Sequence, residues 1–359
     1  MSEGFSVAGH VLAGGRFLEG HVVVEDGTVV SVEEAPPASE PLARGIVLPG
    51  LANAHTHVGD AAVPPPPPEL GPSQVFAPPD GYKHRMLESL PGEDLRRGIT
   101  RFLDDMTGRG TVEHTDFREG GVAGVELLIA ARSDASSPPR SRVFGRPARQ
   151  DFDPREMGAL MGTVDGIGLS AARDWPREPL VDVVTATHDM GLPLALHCSE
   201  SQREDLSLAL ELGPEFLVHM VFGTHEDFQD LAAARVPVVV CPRSTHRYTR
   251  APPVAEMRRA GVTLRLGTDN AMLQGPSVLD DVALLLSLPE NRELDPLEVL
   301  SWALPPAKGS NTGGDFGVTT GSRDLAVLTF HGADPLDFLR SDMGRGAELV
   351  MRDGVIWRP

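Results

Sequence analysis

From residue 46 to about 310 the chain alternates short apolar runs with helix-length amphipathic stretches, and this restricts the fold more than any other feature. Eight runs have strand character: "IVLPGLANAH", "TVEHTDF", "SRVFGRP", "GIGLSA", "PLALHC", "FLVHM", "VPVVVCP" and "TLRLGTD". Stretches such as "GEDLRRGITRFLDDMTGRG" and "VAEMRRAG" separate them and read as helices. Eight βα units in series predict a closed (β/α)8 barrel. A doubly wound open sheet is the competing architecture. The Gly-rich stretch "GGVAGVE" does not support it, because it lacks the context of a dinucleotide fingerprint.

The two ends of the chain read differently. "GHVVVEDGTVVSVEE" holds two β-rich runs around Asp26-Gly27, and "AELVMRDGVIW" repeats the pattern around Asp353-Gly354. Asp-Gly between apolar runs is a strong hairpin signal. The expectation is a small β-sandwich built from both termini, 1–48 plus 316–359, flanking a barrel over 49–315.

The composition narrows the function. The 359 residues suit one large barrel plus an addition, and 41% hydrophobic residues suffice for its core. No apolar run reaches the roughly 18 residues that span a bilayer, and no basic start precedes an apolar core. A cytoplasmic protein without membrane contact is expected. Two cysteines, Cys198 and Cys241, are too few for a disulfide framework and read as small buried residues. The net charge of −19 would repel phosphates, so no nucleic acid partner is expected. Only Lys83 and Lys308 are lysines among 32 basic residues, which fits a GC-rich genome and, with the acidity, a salty cytoplasm.

Polar residues collect where the barrel strands end. His55 and His57 close the first strand, His197 the fifth, His219 the sixth and Asp269 the eighth, with Glu200 three residues beyond His197. Barrel enzymes carry their chemistry at this face. In His55-Thr56-His57 the alternation of a strand sends both imidazoles to one side. Imidazole and carboxylate suit Zn²⁺ or Fe²⁺, and water on such an ion ionises near neutral pH. Glu200 also fits a solvated acid at a helix start in "SESQRED".

The motifs "VLPGLANAHTHVGD", "LHCSE", "VHM", "CPRST" and "GTDNA", in order and spacing, resemble the amidohydrolase superfamily over essentially the whole chain. His-x-x-Glu at the fifth strand is similar to the branch of the cytosine deaminases and the S-adenosylhomocysteine and guanine deaminases. The resemblance implies that His55, His57, His197 and Asp269 bind one divalent metal ion, while Glu200 and His219, with Asp269, act in proton transfer. Many relatives hold two metals bridged by a carboxylated lysine. Lys83 falls in a proline-rich loop and Lys308 beyond the last barrel unit, so a mononuclear site is expected.

The expected reaction is hydrolytic deamination of an aminated heterocycle: a purine, pyrimidine, pterin or nucleoside derivative. Opening of a cyclic amide, as in imidazolonepropionase-like relatives, is the alternative, and a non-catalytic metal-binding protein the second. The partner is a small-molecule substrate, and assembly into a homo-oligomer stays open. Arg118, Arg243, Lys83 and His84 are candidate substrate contacts, since guanidinium groups pair with carboxylates or ring carbonyls. For the two arginines a structural Arg–Asp pair competes. His114 reads as a core histidine. The stretch from Asp60 to Arg85, with five consecutive prolines at 64–68, is expected to be polyproline-like loop forming a semi-rigid wall of the active site.

Overall fold

The computed structural model describes residues 4–305, 316–340 and 346–358. Four strands open the chain: β1 (Phe5–Ala13), β2 (Arg16–Glu25), β3 (Thr28–Glu33) and β4 (Ala43–Leu48). The barrel strands are β5 (Leu51–His57), β6 (Thr111–Arg118), β7 (Arg140–Gly145), β8 (Gly166–Leu169), β9 (Leu194–Cys198), β10 (Phe216–His219), β11 (Val238–Val240), β12 (Leu264–Leu266) and β13 (Asp269–Asn270). β14 (Leu325–Leu328), β15 (Ala347–Arg352) and β16 (Val355–Trp357) return to the first group.

The terminal strands form one seven-stranded mixed sheet in the order β16-β15-β14-β4-β1-β2-β3. Its expected Asp-Gly turns are present, and Asp26, Gly27, Asp353 and Gly354 all have φ between 49° and 82°, the positive values a two-residue hairpin turn needs. Alternation gives the sheet two apolar faces. Val11, Val47 and Val327 belong to a core of the sheet's own. Their neighbours Leu12, Ile46, Leu48, Ala326 and Leu328 join the main barrel core. The sheet is thereby held on the barrel by side chains one residue out of phase with its own core.

Strands β5 to β12 pair in parallel, each with the next in sequence, and β13 pairs with β5 to close the ring. β12 and β13 are two halves of one stave, interrupted at Gly267-Thr268, so the nine strands make the eight staves of a (β/α)8 barrel. The interruption has a steric cause: a Cβ on Gly267 would lie 2.8 Å from the backbone nitrogen of His55. Asn53 bridges the gap, its Nδ2 donating to Thr268 Oγ1 at 2.8 Å and its Oδ1 accepting from Thr268 N at 3.0 Å.

Two expectations need correction. The run 46–55 is two strands: β4 ends in the terminal sheet and β5 begins in the barrel, with Pro49 and Gly50 (φ 93°) turning the chain between them. The proline-rich stretch is not all loop. It contains α1 (Pro72–Phe76) and α2 (Tyr82–Ser89). Proline at the first helical position costs no hydrogen bond, and the Gln74 side chain accepts from Gly71 N at 3.0 Å.

Inside the barrel, Phe117, Phe144 and Phe216 pack with Ala195, Val218, Val239 and Cys241. This plug is the floor of the site, and the His55 ring stands edge-on to Phe117 with centroids 4.6 Å apart. Among the described residues no helix is long and apolar enough to cross a membrane.

Candidate metal centre

Three strand ends, those of β5, β9 and β13, bring four donor atoms together above this floor. His197 Nε2 lies 3.3 Å from His55 Nε2 and 3.4 Å from His57 Nε2. Asp269 Oδ1 lies 3.4 Å from His55 Nε2 and 3.5 Å from His57 Nε2. Donors bound tetrahedrally at about 2.0–2.1 Å from one ion are separated by roughly 3.3–3.4 Å, so this spacing is that of a zinc-sized coordination shell. Asp269 Oδ1 and His55 Nδ1 are buried without a hydrogen-bond partner among the described residues. A ring nitrogen of His219 also comes within 4.8 Å of donor atoms of His55, His197 and Asp269. His57 and His219 are thus both within reach of the same point.

The electrostatics suit a cation. Burial lowers the pKa of His55, brings that of His57 to about 3 and holds His197 well below the ordinary histidine range. All three are neutral, as metal binding requires. Burial pushes the Asp269 carboxyl upward, but the close approach of His55 and the neighbouring histidines overcomes it and keeps it ionised. Ser244 Oγ donates to Asp269 Oδ2 at 2.5 Å. His197 is oriented through Nδ1, which donates to Leu169 O at 2.9 Å, leaving the Nε2 lone pair for the centre. His219 (φ 80°) and Asp269 (φ 64°) adopt left-handed backbone conformations, a strain that non-glycine residues carry chiefly at functional sites.

Glu200 lines the cleft above the donors, with Oε1 3.7 Å from His219 Nε2. Burial, then the Asp269 carboxylate, push its pKa to about 8. In the metal-free protein this favours the protonated carboxyl at neutral pH.

Of the candidate substrate contacts, Lys83 and His84 line the cleft. Lys83 is not on a loop but near the start of α2, and it is buried. His84 Nε2 is 3.2 Å from Phe76 O, and burial lowers its pKa to about 4. Arg118 and Arg243 do not line it. The Arg118 guanidinium fills the slot beside Gly59, where a Cβ would fall 1.3 Å from its Nη1. Arg243 is consumed by Asp281 and Asp280 at 3.0 and 3.1 Å and by the carbonyls of Gly275 and Ser277. The structural Arg–Asp pair is therefore what Arg243 forms. His114 is a core residue, hydrogen-bonded to Thr56 Oγ1 and Ser141 Oγ. Cys198 and Cys241 are buried and burial raises both thiols. Lys308 lies outside the described residues.

Three polar residues at the site escaped the sequence reading: Asp60, Glu119 and Asn270. Asp60 Oδ1 accepts from Met272 N at 3.0 Å, tying the first strand end to the eighth. Glu119 directly follows Arg118 in "DFREGG", and its carboxylate, not the arginine, faces His57. Asn270 follows Asp269 and accepts from Lys83. Each sits within one to three residues of a strand end, a signal as available as the one that marked Glu200.

A metal-site barrel with its donors at the strand C-termini defines a class of hydrolases. The chain belongs to the amidohydrolase family, whose model matches residues 46–304, and is a hydrolase of C–N bonds other than peptide bonds. A protein of Methanothermobacter thermautotrophicus provisionally named as an aminohydrolase is 30% identical over 79% of this chain and 80% of its own. A 5-methylthioadenosine/S-adenosylhomocysteine deaminase of Halobacterium salinarum is 26% identical over 76% of this chain and 70% of its own. The solved 5-methylcytosine deaminase of Klebsiella pneumoniae shares the fold, with a TM-score of 0.77, 15% identity and coverage of 99% and 98% of the two chains.

Proposed function

We propose that this chain is a metal-dependent hydrolytic deaminase of an aminated purine, pyrimidine or related nucleoside. The observation that carries the reading is Glu200: a carboxyl facing the cleft, 3.7 Å from His219 and beside the four-donor cluster, its pKa raised by burial and the Asp269 carboxylate. A divalent ion held by His55, His57, His197 and Asp269 would supply Lewis-acid activation of water. Phe76 and Tyr248, packed edge to face at 5.2 Å, offer an aromatic wall for a flat ring. Glu200 gives its proton to the ring nitrogen next to the amidine-like carbon. Water adds to that carbon, and His219 and Asp269 help to take up its proton. The Glu200 carboxylate so formed takes the hydroxyl proton of the adduct and passes it to the exocyclic amine; the C–N bond breaks, ammonia leaves with the bonding pair, the oxygen becomes the ring carbonyl, and the proton held at His219 and Asp269 returns to Glu200. The names of relatives that deaminate adenosine derivatives and cytosines support this substrate class.

The test is ammonia release from a panel of aminated heterocycles and nucleosides, with identification of the ring-carbonyl (lactam) product. Cyclic-amide ring opening uses the same residues but need release no ammonia, and a partial match to imidazolonepropionase, 33% identical over 36% of the chain, keeps that panel arm necessary. Turnover of cyclic amides without ammonia from any amine would refute deamination.

A further inference from the structure

The proline-rich stretch delivers Lys83, and Lys83 reaches the metal centre through a carboxylate. Its Nζ stands 2.6 Å from Glu119 Oε1, 2.9 Å from Asn270 Oδ1 and 3.3 Å from Asp60 Oδ2. The ammonium donates to Asn270 Oδ1 and forms buried ion pairs with the Glu119 and Asp60 carboxylates. The three partners come from three strand ends: Asp60 after β5, Glu119 after β6, and Asn270 beside Asp269 in β13. The side chains of Lys83, Glu119 and Asp60 are 4%, 7% and 0% exposed, so the cluster is shielded from water.

Glu119 Oε1 is also 2.8 Å from His57 Nδ1, and Arg146 Nη2 stands 3.5 Å from the same oxygen. His57 Nδ1 thus faces two acceptors, the Glu119 carboxylate at 2.8 Å and the Phe117 carbonyl at 3.2 Å, and both require the ring to present Nδ1–H. That fixes the tautomer and turns the Nε2 lone pair toward His197 Nε2 at 3.4 Å and Asp269 Oδ1 at 3.5 Å. His197 is oriented by a neutral carbonyl alone, whereas His57 has, besides the Phe117 carbonyl, a charged carboxylate that carries its own cation.

We propose that Glu119 is the positioning residue of the metal centre, fixing the ring and tautomer of His57, and that Lys83 acts on the centre through Glu119. The inference rests on the metal-site reading but not on the identity of the substrate. The proline-rich stretch is then a structural arm of the site as well as its wall, because α2 holds the lysine that locks Glu119.

The experiment is Zn²⁺ affinity by chelator competition on the full chain, with melting of the metal-free protein as a control for folding. Glu119→Gln should weaken Zn²⁺ binding by about 10–100-fold, the range expected when the orienter of a histidine ligand is lost. Glu119→Asp, which keeps the charge but withdraws it by one methylene, should move in the same direction. In both, the His57 Nδ1 proton should move upfield in the NMR spectrum of the metal-free protein, because the charged acceptor is lost or withdrawn and only the Phe117 carbonyl remains close. Lys83→Met should change Zn²⁺ affinity in the natural background and leave it unchanged in the Glu119→Gln background, since partners acting in series do not add. A full additional effect of Lys83→Met in that background would overturn its action through Glu119. Variants that bind Zn²⁺ within about twofold of the natural chain, even if they melt earlier, would overturn the positioning role. A natural chain that binds no Zn²⁺ would instead remove the metal-site reading on which the inference stands.

Discussion

Replacing Glu200 by glutamine separates the proton shuttle from the metal cluster. Glu200 is not one of the four donors at 3.3–3.5 Å, and its Oε1 lies 3.7 Å from His219 Nε2. The exchange keeps the volume and removes one titrating proton. With a pKa of about 8, the metal-free Glu200 is protonated in about nine molecules of ten at pH 7, and in about one of ten at pH 9. A positioned general acid contributes about 10²–10⁴-fold, or roughly 3–5 kcal/mol of barrier. Glu200→Gln should therefore lower kcat by that factor, measured as ammonia release, while elemental analysis finds unchanged metal content. In the natural protein activity should fall as pH rises through the Glu200 pKa, because the protonated form donates. A bound dication lowers that pKa, so this limb should lie at or below about 8. Stability carries a second signature. The folded pKa is above the ordinary 4.5, so the unfolded chain ionises first and metal-free protein loses stability as pH rises from 4.5 toward 8. Glu200→Gln should flatten that loss in urea unfolding. A variant that keeps more than about a tenth of the natural kcat with full metal content would remove Glu200 from the shuttle.

Three other outcomes follow from the same geometry. Arg243→Met should destabilise by about 3–5 kcal/mol in denaturant unfolding, because it strands the fully buried Asp281. It should leave KM unchanged, and a rise in KM with normal stability would return Arg243 to the substrate site. Asn53→Ala removes both bonds across the interrupted stave, at about 1–3 kcal/mol for each buried group left unpaired. It should also weaken metal binding, since His55 passes that seam; unchanged melting would refute the seam's importance. Metal analysis should find one tightly bound ion per chain, lost in His197→Ala, because Lys83 lies on a helix and is engaged by three partners. Two tight ions would sink the mononuclear reading.

The sequence by itself determined the barrel, the two-ended sheet and the positions of His55, His57, His197, His219 and Asp269. Each depends on local periodicity or on a residue type at the end of an apolar run, and both are written along the chain. The Asp-Gly turns were legible for the same reason, since positive φ selects its residues locally. What the tertiary structure alone decided concerns partners far apart in sequence. Arg118 and Glu119 are adjacent, yet alternation and the vacancy at Gly59 bury the first in a slot and turn the second to His57. Arg243 looked available until Asp281, 38 residues on, occupied it. Asn53 and Asp60 had no visible purpose until Thr268 and Met272 came beside them, more than 200 residues away, when the ring closed. Closure of the barrel brings the first and last staves together, and no pattern along a single stave encodes which polar group it will meet there.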